Sequence, residues 1–273
     1  MQRILFSTDK LRQATAAEAT ILCLAGWFLR HGWAVDVCAR LIDGDYYQQL
    51  SRWAASGRLR IFTDDDHQSG ADPLADDDAD YDLLWICGGY LASGLIDRLQ
   101  QGTITGRCLF QHFTASAGRP YYSGSSSENA LAWRILTDSA LSYAALSLRG
   151  VYAPSLRLMP LAFDDQLVCS SFCPPAGPLR KILWAGDQYC PAIDLLSQLL
   201  NMQNIRLDFL PSGQQAALLT SHKLTEYQLV IGENQLIASA LCLGIPVCVA
   251  GQGGWCGYLA AGDGFQRAAD SFF

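Results

Sequence analysis

The stretch ALCLGIPVCVAGQGGWCGYL, residues 240–259, places the end of a helix, an apolar strand and a glycine cluster in one short segment. The strand is PVCVA, and glycines follow it at 251, 253, 254 and 257. In open α/β sheets, ligands bind beyond the carboxyl ends of strands, where glycines let backbone N–H groups approach an anion and a following helix adds its dipole. The segment therefore predicts an α/β fold. Its glycines either hold a phosphate or a sugar, or form a tight turn.

The rest of the chain repeats this alternation of apolar strands and amphipathic helices. Thr15 and Glu18 form a capping-box pattern ahead of a helix with one apolar face. Such alternation implies a parallel sheet that is covered on both faces. The pattern predicts strands at 3–7, 34–39, 59–62, 81–87, 107–113, 140–145, 181–185, 206–210, 228–231 and 246–250, and further helices at 45–55, 128–138 and 191–200.

A segment with three prolines, DDQLVCSSFCPPAGPLR, interrupts this rhythm near the middle of the chain. Paired prolines and small polar residues are typical of a linker. We therefore predict two Rossmann-like domains that face each other across a cleft, the second smaller than the first. The N-terminal domain spans 1–165, the linker 166–180 and the C-terminal domain 181–273.

Composition and charge exclude several classes of protein. The chain has 273 residues, of which 50% are hydrophobic and 16% charged, with a formal net charge of -7 and a pI near 5.0. An acidic chain argues against nucleic acid as a partner. No run of about eighteen apolar residues could span a bilayer, and the first residues do not resemble a signal peptide. A cytoplasmic location is expected.

The sequence offers weak candidates for a metal site. Cys169 and Cys173 have a spacing that suits zinc, but no second pair or nearby histidine completes the site. Residues 76–78 contain a D-x-D pattern within an acidic stretch that is better explained as a solvated loop. We therefore expect neither a bound metal nor another cofactor.

Four segments resemble motifs of one known family, the GT-B glycosyltransferases of the retaining group that builds bacterial surface polysaccharides. They cover most of the chain, although each match is loose. The segments are LRHGWAVDV at 29–37, RCLFQHF at 107–113, SALSYAALSLRGVYAPSLRLMPLAFD at 139–164 with KILWAGD after the linker, and QLVIGENQLIASALCLGIPVCVAGQGGWCGYL at 228–259.

The resemblance implies a transferase that moves a sugar from a nucleotide-sugar onto a glycan or lipid-linked acceptor without a metal ion. The N-terminal domain would be the acceptor side, and contact with a membrane-bound acceptor or with a partner protein would follow. His112 matches the histidine that approaches the transferred sugar or the acceptor, although a satisfied strand-end histidine explains it equally well. The implied donor-binding positions are Gly251, Gly253, Gly254, Gly257, Glu233, Asn234, Gln235 and Ser239.

The chain also departs from the pattern of this family. Ser239 stands where the family has a ribose-binding glutamate, and Asp187 lies where basic residues usually follow the first strand of the second domain. Losing a cationic clamp removes charge-assisted hydrogen bonds of about 1.5–3 kcal/mol each. Two alternatives stay open: a catalytically inactive GT-B-like binding or partner subunit, and another nucleotide-sugar enzyme such as an epimerase or a hydrolase.

Overall fold

The computed structural model describes most of the chain, and the chain divides into two compact units. Unit 1 comprises Met1–Arg12 and Ala25–Leu161, and unit 2 comprises Gln13–Leu24 and Ala162–Phe273. The residues described are 1–12, 16–63, 80–88, 93–113, 125–151, 153–159, 177–186, 191–211, 222–232, 234–251 and 254–259. Several predicted features lie outside them: linker residues 166–176, the acidic residues 76–78, Cys169, Cys173, Asp187, Glu233 and Gly253.

Unit 1 is built on a parallel sheet. Its strands in the described part of the chain are β1 (Arg3–Leu11), β2 (Ala34–Ile42), β3 (Leu59–Thr63), β4 (Leu83–Cys87), β5 (Arg107–His112), β6 (Arg134–Thr137) and β7 (Leu156–Leu158). They lie in the order β3-β2-β1-β4-β5-β6-β7, and every neighbouring pair is parallel. Consecutive residues of β1, such as Leu5 and Phe6, are fully buried, so both faces of this strand are covered.

Helices connect these strands and complete the core of unit 1. They are α1 (Ala16–Arg30), α2 (Gly44–Ala54), α3 (Ser93–Gln100), α4 (Ser125–Leu131) and α5 (Ala140–Leu148). On one face of the sheet, buried Ile86, Phe110 and Ile135 from three neighbouring strands pack in one cluster with Leu95 of α3 and Leu146 of α5. The first part of α1 belongs to unit 2.

Two predicted elements of unit 1 were wrong. The helix predicted over 128–138 ends at Leu131, and residues Arg134–Thr137 form strand β6 instead. The strand predicted over 140–145 is helix α5. Ser139 decides the second case, because its side chain accepts a hydrogen bond from the backbone N–H of Ser142 and so caps the helix. Short apolar runs do not distinguish strand from helix by periodicity alone.

Unit 2 is built on a second, smaller sheet. Its described strands are β8 (Lys181–Gly186), β9 (Arg206–Pro211), β10 (Leu229–Gly232), β11 (Val247–Gly251) and β12 (Gly254–Leu259), with helices α6 (Pro191–Asn201) and α7 (Asn234–Cys242). The order is β12-β11-β10-β8-β9, in which only β12 is antiparallel to its neighbour. Leu183, Val230 and Val247 form a core with Leu236 of α7 and Ala19 of α1.

Both sheets have the strand orders of nucleotide-binding α/β domains. In unit 1 the order reverses between β1 and β4, and in unit 2 it reverses between β8 and β10. Ligands of such sheets bind outside the carboxyl ends of the strands at this reversal. The predicted α/β class with two Rossmann-like domains is therefore confirmed. In the described part of the chain, no helix combines the length and hydropathy needed to cross a membrane.

Candidate functional site

Buried polar side chains gather at the carboxyl edge of the unit 1 sheet. Thr8 lies on β1, Gln111 and His112 end β5, and Thr137 ends β6, with Asp138 directly after it. All of them are at least nine-tenths buried. Polar side chains are seldom buried without a partner or a function. This edge, where the fold places ligands, is therefore the candidate site in unit 1.

His112 forms a buried pair with Glu128 of α4. The His112 Nε2 and Glu128 Oε2 atoms are 3.0 Å apart, and the two side chains are 6% and 2% exposed. A carboxylate only accepts, so the imidazole Nε2–H donates to it; in the neutral imidazole Nδ1 is then an acceptor. Among the described residues, neither His112 Nδ1 nor Glu128 Oε1 has a hydrogen-bond partner. The hydrogen bond to Glu128 therefore fixes the orientation of the imidazole at the end of β5.

Glu128 also influences a neighbouring thiol. Burial, and secondarily the charge of Glu128, raise the pKa of Cys108 to about 12. A thiol with so high a pKa stays protonated and unreactive at neutral pH. Burial alone raises the pKa of Cys87, which ends β4, well above its usual range. Neither Cys87, at this edge, nor Cys108, near the start of β5, is therefore a candidate nucleophile.

Gln111 precedes His112 and points to the opposite face of the sheet, as successive residues of a strand do. Its side chain is fully buried, and its Oε1 accepts a hydrogen bond of 2.7 Å from the indole Nε1–H of Trp85 on β4. Within the described residues, its Nε2 has no hydrogen-bond partner. Sequence reasoning identified neither Glu128 nor Gln111 as a site residue.

Three neighbouring strands of unit 2 each end in glycine. Gly251, Gly232 and Gly186 close β11, β10 and β8, which are adjacent in the sheet. At Gly232 a Cβ atom would lie 2.2 Å from the carbonyl oxygen of Ala185, so only glycine fits between these strands. Helix α7 begins two residues after Gly232. Its first N–H groups have no intrahelical partner and suit an anion.

The predicted glycine turn is a β-hairpin. Gly251 pairs with Gly254 across antiparallel strands β11 and β12, and the register shifts at Val249 and Ala250. A strand therefore follows the turn, where a helix was expected to add its dipole. The helix N-terminus at this edge belongs to α7 instead. Gly257 has a φ of +94°, a conformation that favours glycine.

The remaining predicted donor-binding residues that the structure describes lie on α7. Asn234 and Gln235 form the first turn of the helix, at the glycine-ended edge. Ser239 lies in the interior of the helix, is 0% exposed, and has no hydrogen-bond partner for its hydroxyl within the described residues. His112 lies in unit 1, whereas these positions lie in unit 2. The described residues contain no group of three side chains arranged to hold a metal ion.

The sequence comparisons found no match: no family model and no curated protein matches the chain. Solved structures do match it. HepE from Anabaena, in complex with UDP and glucose, has a TM-score of 0.54 at 14% identity, covering 92% of this chain and 81% of HepE. An alpha-glucosyltransferase in complex with UDP and DNA has a TM-score of 0.54 at 10% identity, covering 91% and 79%. A UDP-N-acetylglucosamine 2-epimerase has a TM-score of 0.53 at 11% identity, covering 91% and 79%.

These matches extend over both units, and they identify the architecture. The chain has the GT-B glycosyltransferase fold, as its sequence motifs predicted. At identities of 10–14%, the similarity concerns the fold, and the activity of this chain has to be argued from its own residues.

Proposed function

We propose that the protein transfers a sugar from a UDP-sugar to a glycan or lipid-linked acceptor, without a required metal ion. One observation carries the proposal: the glycine-ended edge of β8, β10 and β11, beside the N-terminus of α7, in a fold shared with proteins solved with UDP. Because glycine has no side chain, the backbone N–H groups at this edge can approach a diphosphate closely. The same groups would stabilise the charge that develops on the departing UDP.

The residues of unit 1 fit a role on the acceptor side. Transfer breaks the bond between the sugar C1 and the diphosphate oxygen, forms a bond from C1 to the acceptor oxygen, and passes the acceptor hydroxyl proton to an oxygen of the departing UDP. In the neutral imidazole, the hydrogen bond from Nε2–H to Glu128 leaves Nδ1 of His112 as an acceptor. Nδ1 would orient the acceptor hydroxyl or a hydroxyl of the sugar.

The first experiment is thermal unfolding with UDP, GDP, CMP, ADP and TDP, each with and without magnesium. A ligand present at about 100 times its Kd stabilises the folded state by about 2.7 kcal/mol, which raises Tm by several degrees. We expect UDP to raise Tm and magnesium to add nothing. If none of these nucleotides raises Tm, the proposed donor site is contradicted.

The second experiment measures transfer from UDP-glucose to glycan and glycolipid acceptors. We expect His112→Ala to lower the rate about tenfold, the effect of losing one orienting hydrogen bond. His31→Ala is the matched control, because His31 is an exposed histidine whose side chain hydrogen-bonds to the Trp27 carbonyl and stacks on the Trp27 ring. Unchanged transfer in both His112→Ala and Gly254→Asp would refute the assignment. Release of an epimer or of free sugar without an acceptor would identify an epimerase or a hydrolase instead.

The structure also favours a second candidate, a GT-B-like subunit that binds a nucleotide-sugar without turning it over. Ser239 occupies the position of the ribose-binding glutamate of the resembled family, and its hydroxyl is fully buried inside α7. A short buried side chain cannot replace a carboxylate that reaches a ligand. Binding of UDP-glucose without any product, or activity only in the presence of a copurifying partner, would support this candidate over the first.

A further inference from the structure

Helix α6 of unit 2 carries apolar side chains on two different sides. Ile193 is 2% exposed and Leu200 packs on a hydrophobic cluster of the sheet, so one side faces the core of unit 2. A second side is exposed to solvent and carries three large apolar residues, Leu195, Leu199 and Met202. A surface helix normally presents one apolar stripe to the core and polar residues elsewhere. The second apolar side of α6 therefore calls for a partner of its own.

Leu195, Leu199 and Met202 form one continuous surface, here called the α6 stripe. Their spacing of four and then three residues is that of the contact seam between paired helices. Met202 follows the last residue of α6, but its backbone N–H still donates to the carbonyl oxygen of Gln198, so it keeps its helical position. The three residues are 59%, 54% and 78% exposed. The stripe is thus shaped to pack against another helix.

The charge around the α6 stripe indicates which partner fits it. Residues 195–205 contain no Asp, Glu, Lys or Arg, although the whole chain has a net charge of -7. Two copies of the chain can therefore meet here with little of the repulsion that like charges would cause. The exposed amides of Gln198 and Gln203 flank the stripe, and because an amide both donates and accepts, they can pair with identical amides. An anionic membrane would require basic side chains beside the stripe, and residues 195–205 offer none.

We propose that the protein forms a homodimer in which the α6 stripes of two copies pack against each other about a two-fold axis. Such an interface joins the same surface of both copies, so that surface must complement itself, as an uncharged apolar stripe with amide edges does. The apolar side chains of two stripes bury on the order of 600 Å². Because stable interfaces bury about 1,200–2,000 Å², the dimer is a reversible one. This inference goes beyond the proposed function and involves none of the residues assigned to the donor or the acceptor.

Sedimentation velocity of the full chain at about 1 to 200 μM tests the dimer. We expect the average mass to rise towards that of a dimer over this range. Leu199→Gln should weaken association at least about tenfold, because each dimer loses two buried leucines. The matched control is Leu148→Gln, at a leucine that ends α5 in unit 1 and is 89% exposed, and it should associate like the wild type. A wild-type protein that stays monomeric, or equal association of the two variants, would overturn the proposal.

Opposite charges test whether the two stripes face each other. A two-fold axis through the middle of the stripe brings Leu199 of one copy close to Leu199 of the other. We expect Leu199→Glu and Leu199→Lys to associate poorly alone, and their equimolar mixture to associate at least about tenfold more tightly than either. At about 1 μM both should keep the wild-type Tm within about 2 °C, as substitutions of exposed residues do. A mixture that associates as weakly as its components would overturn the proposal. A larger loss of Tm would overturn it as well, because it would show that the chain itself covers Leu199.

Discussion

At the scale of single residues, the carboxyl group of Asp36 on β2 is one of the most enclosed acidic groups in the part of unit 1 that the structure describes. Asp36 is 1% exposed. It accepts hydrogen bonds from the Arg60 guanidinium on β3, at 2.9 and 2.5 Å, and from the hydroxyl of Tyr81 at 2.9 Å. A buried carboxylate persists only when it is paired and fully hydrogen-bonded. These three residues therefore hold β2 and β3 in register against the start of β4.

We expect Asp36→Asn to destabilise the protein by about 1–3 kcal/mol, because it weakens the charge-assisted hydrogen bonds to the Arg60 guanidinium, whose side chain is 40% exposed. The control is Asp9→Asn, which breaks the exposed ion pair of Asp9 with Arg40. That pair should contribute less than about 1 kcal/mol. Urea unfolding of both variants measures the difference, and equal losses would contradict the role given to Asp36.

Tyr227 makes the stability of unit 2 depend on pH in the alkaline range. Burial, and then the charge and hydrogen bond of Asp208, raise the pKa of Tyr227 to about 12. An unfolded tyrosine has a pKa of about 10. The folded state thus keeps the phenol proton longer than the unfolded state does. The stability that results is complete below pH 10 and is lost as the pH rises towards 12.

The test compares urea unfolding between pH 9 and pH 11. We expect Tyr227→Phe to lose less stability than the wild-type protein over this range. At pH 8 the variant should be less stable by about 1 kcal/mol, since the 3.1 Å hydrogen bond to Asp208 is gone. Tyr47→Phe, at a tyrosine that is 53% exposed, should follow the wild type. If the stability of Tyr227→Phe fell with pH in parallel with that of the wild type, the raised pKa of Tyr227 would be refuted.

At the scale of elements, the close approach of β10 to β8 shapes the candidate donor edge. The backbone of Gly232 lies so near Ala185 that a methyl group would meet its carbonyl oxygen at 2.2 Å. At Gly186, by contrast, the nearest atom to an added Cβ is Nε1 of the Trp184 side chain at 3.3 Å. A side chain can move where a backbone carbonyl cannot. The two glycines thus differ in what a substitution would cost.

We expect Gly232→Ala to cost about 2–4 kcal/mol of stability and to abolish the rise in Tm caused by UDP. Gly186→Ala should change stability by about 1 kcal/mol or less. Urea unfolding and thermal shift with UDP measure both effects. If Gly232→Ala proved as mild as Gly186→Ala, the edge would not depend on this contact.

At the scale of the whole molecule, each unit is a Rossmann-like sheet with its own core, and the proposed donor edge belongs to unit 2 alone. Binding lowers the frequency of local opening near the site that it occupies. A nucleotide should therefore protect the strand ends of unit 2 and leave the far edge of the unit 1 sheet unchanged.

Hydrogen exchange with and without UDP tests this assignment. We expect slower exchange in Lys181–Gly186, Leu229–Gly232 and Val247–Gly251 at saturating UDP. Peptides from β2 and β3, at the edge of the other sheet, serve as the internal control. Protection confined to unit 1 would contradict the placement of the donor, even if UDP raised Tm.

Much of the architecture follows from the sequence because parallel strands are continuous apolar runs. LLWIC of β4 and VCVAG of β11 are recognisable without any structure. The apolar stretch at 140–145 was predicted with the wrong period, since the helix there depends on the Ser139 cap. The four-residue strand β6 was missed because its pairing with β5 defines it more than its own composition does.

The sequence by itself determined the α/β class, the two Rossmann-like domains, and His112 as a candidate at the end of β5. Only the tertiary structure decided which groups lie beside that histidine. Glu128 is 16 residues away along the chain, and Trp85 fixes the Gln111 amide from a neighbouring strand. The glycine-ended edge likewise depends on strand order, which places β10 between β8 and β11. Local patterns specify elements, whereas long-range packing determines which of their ends meet.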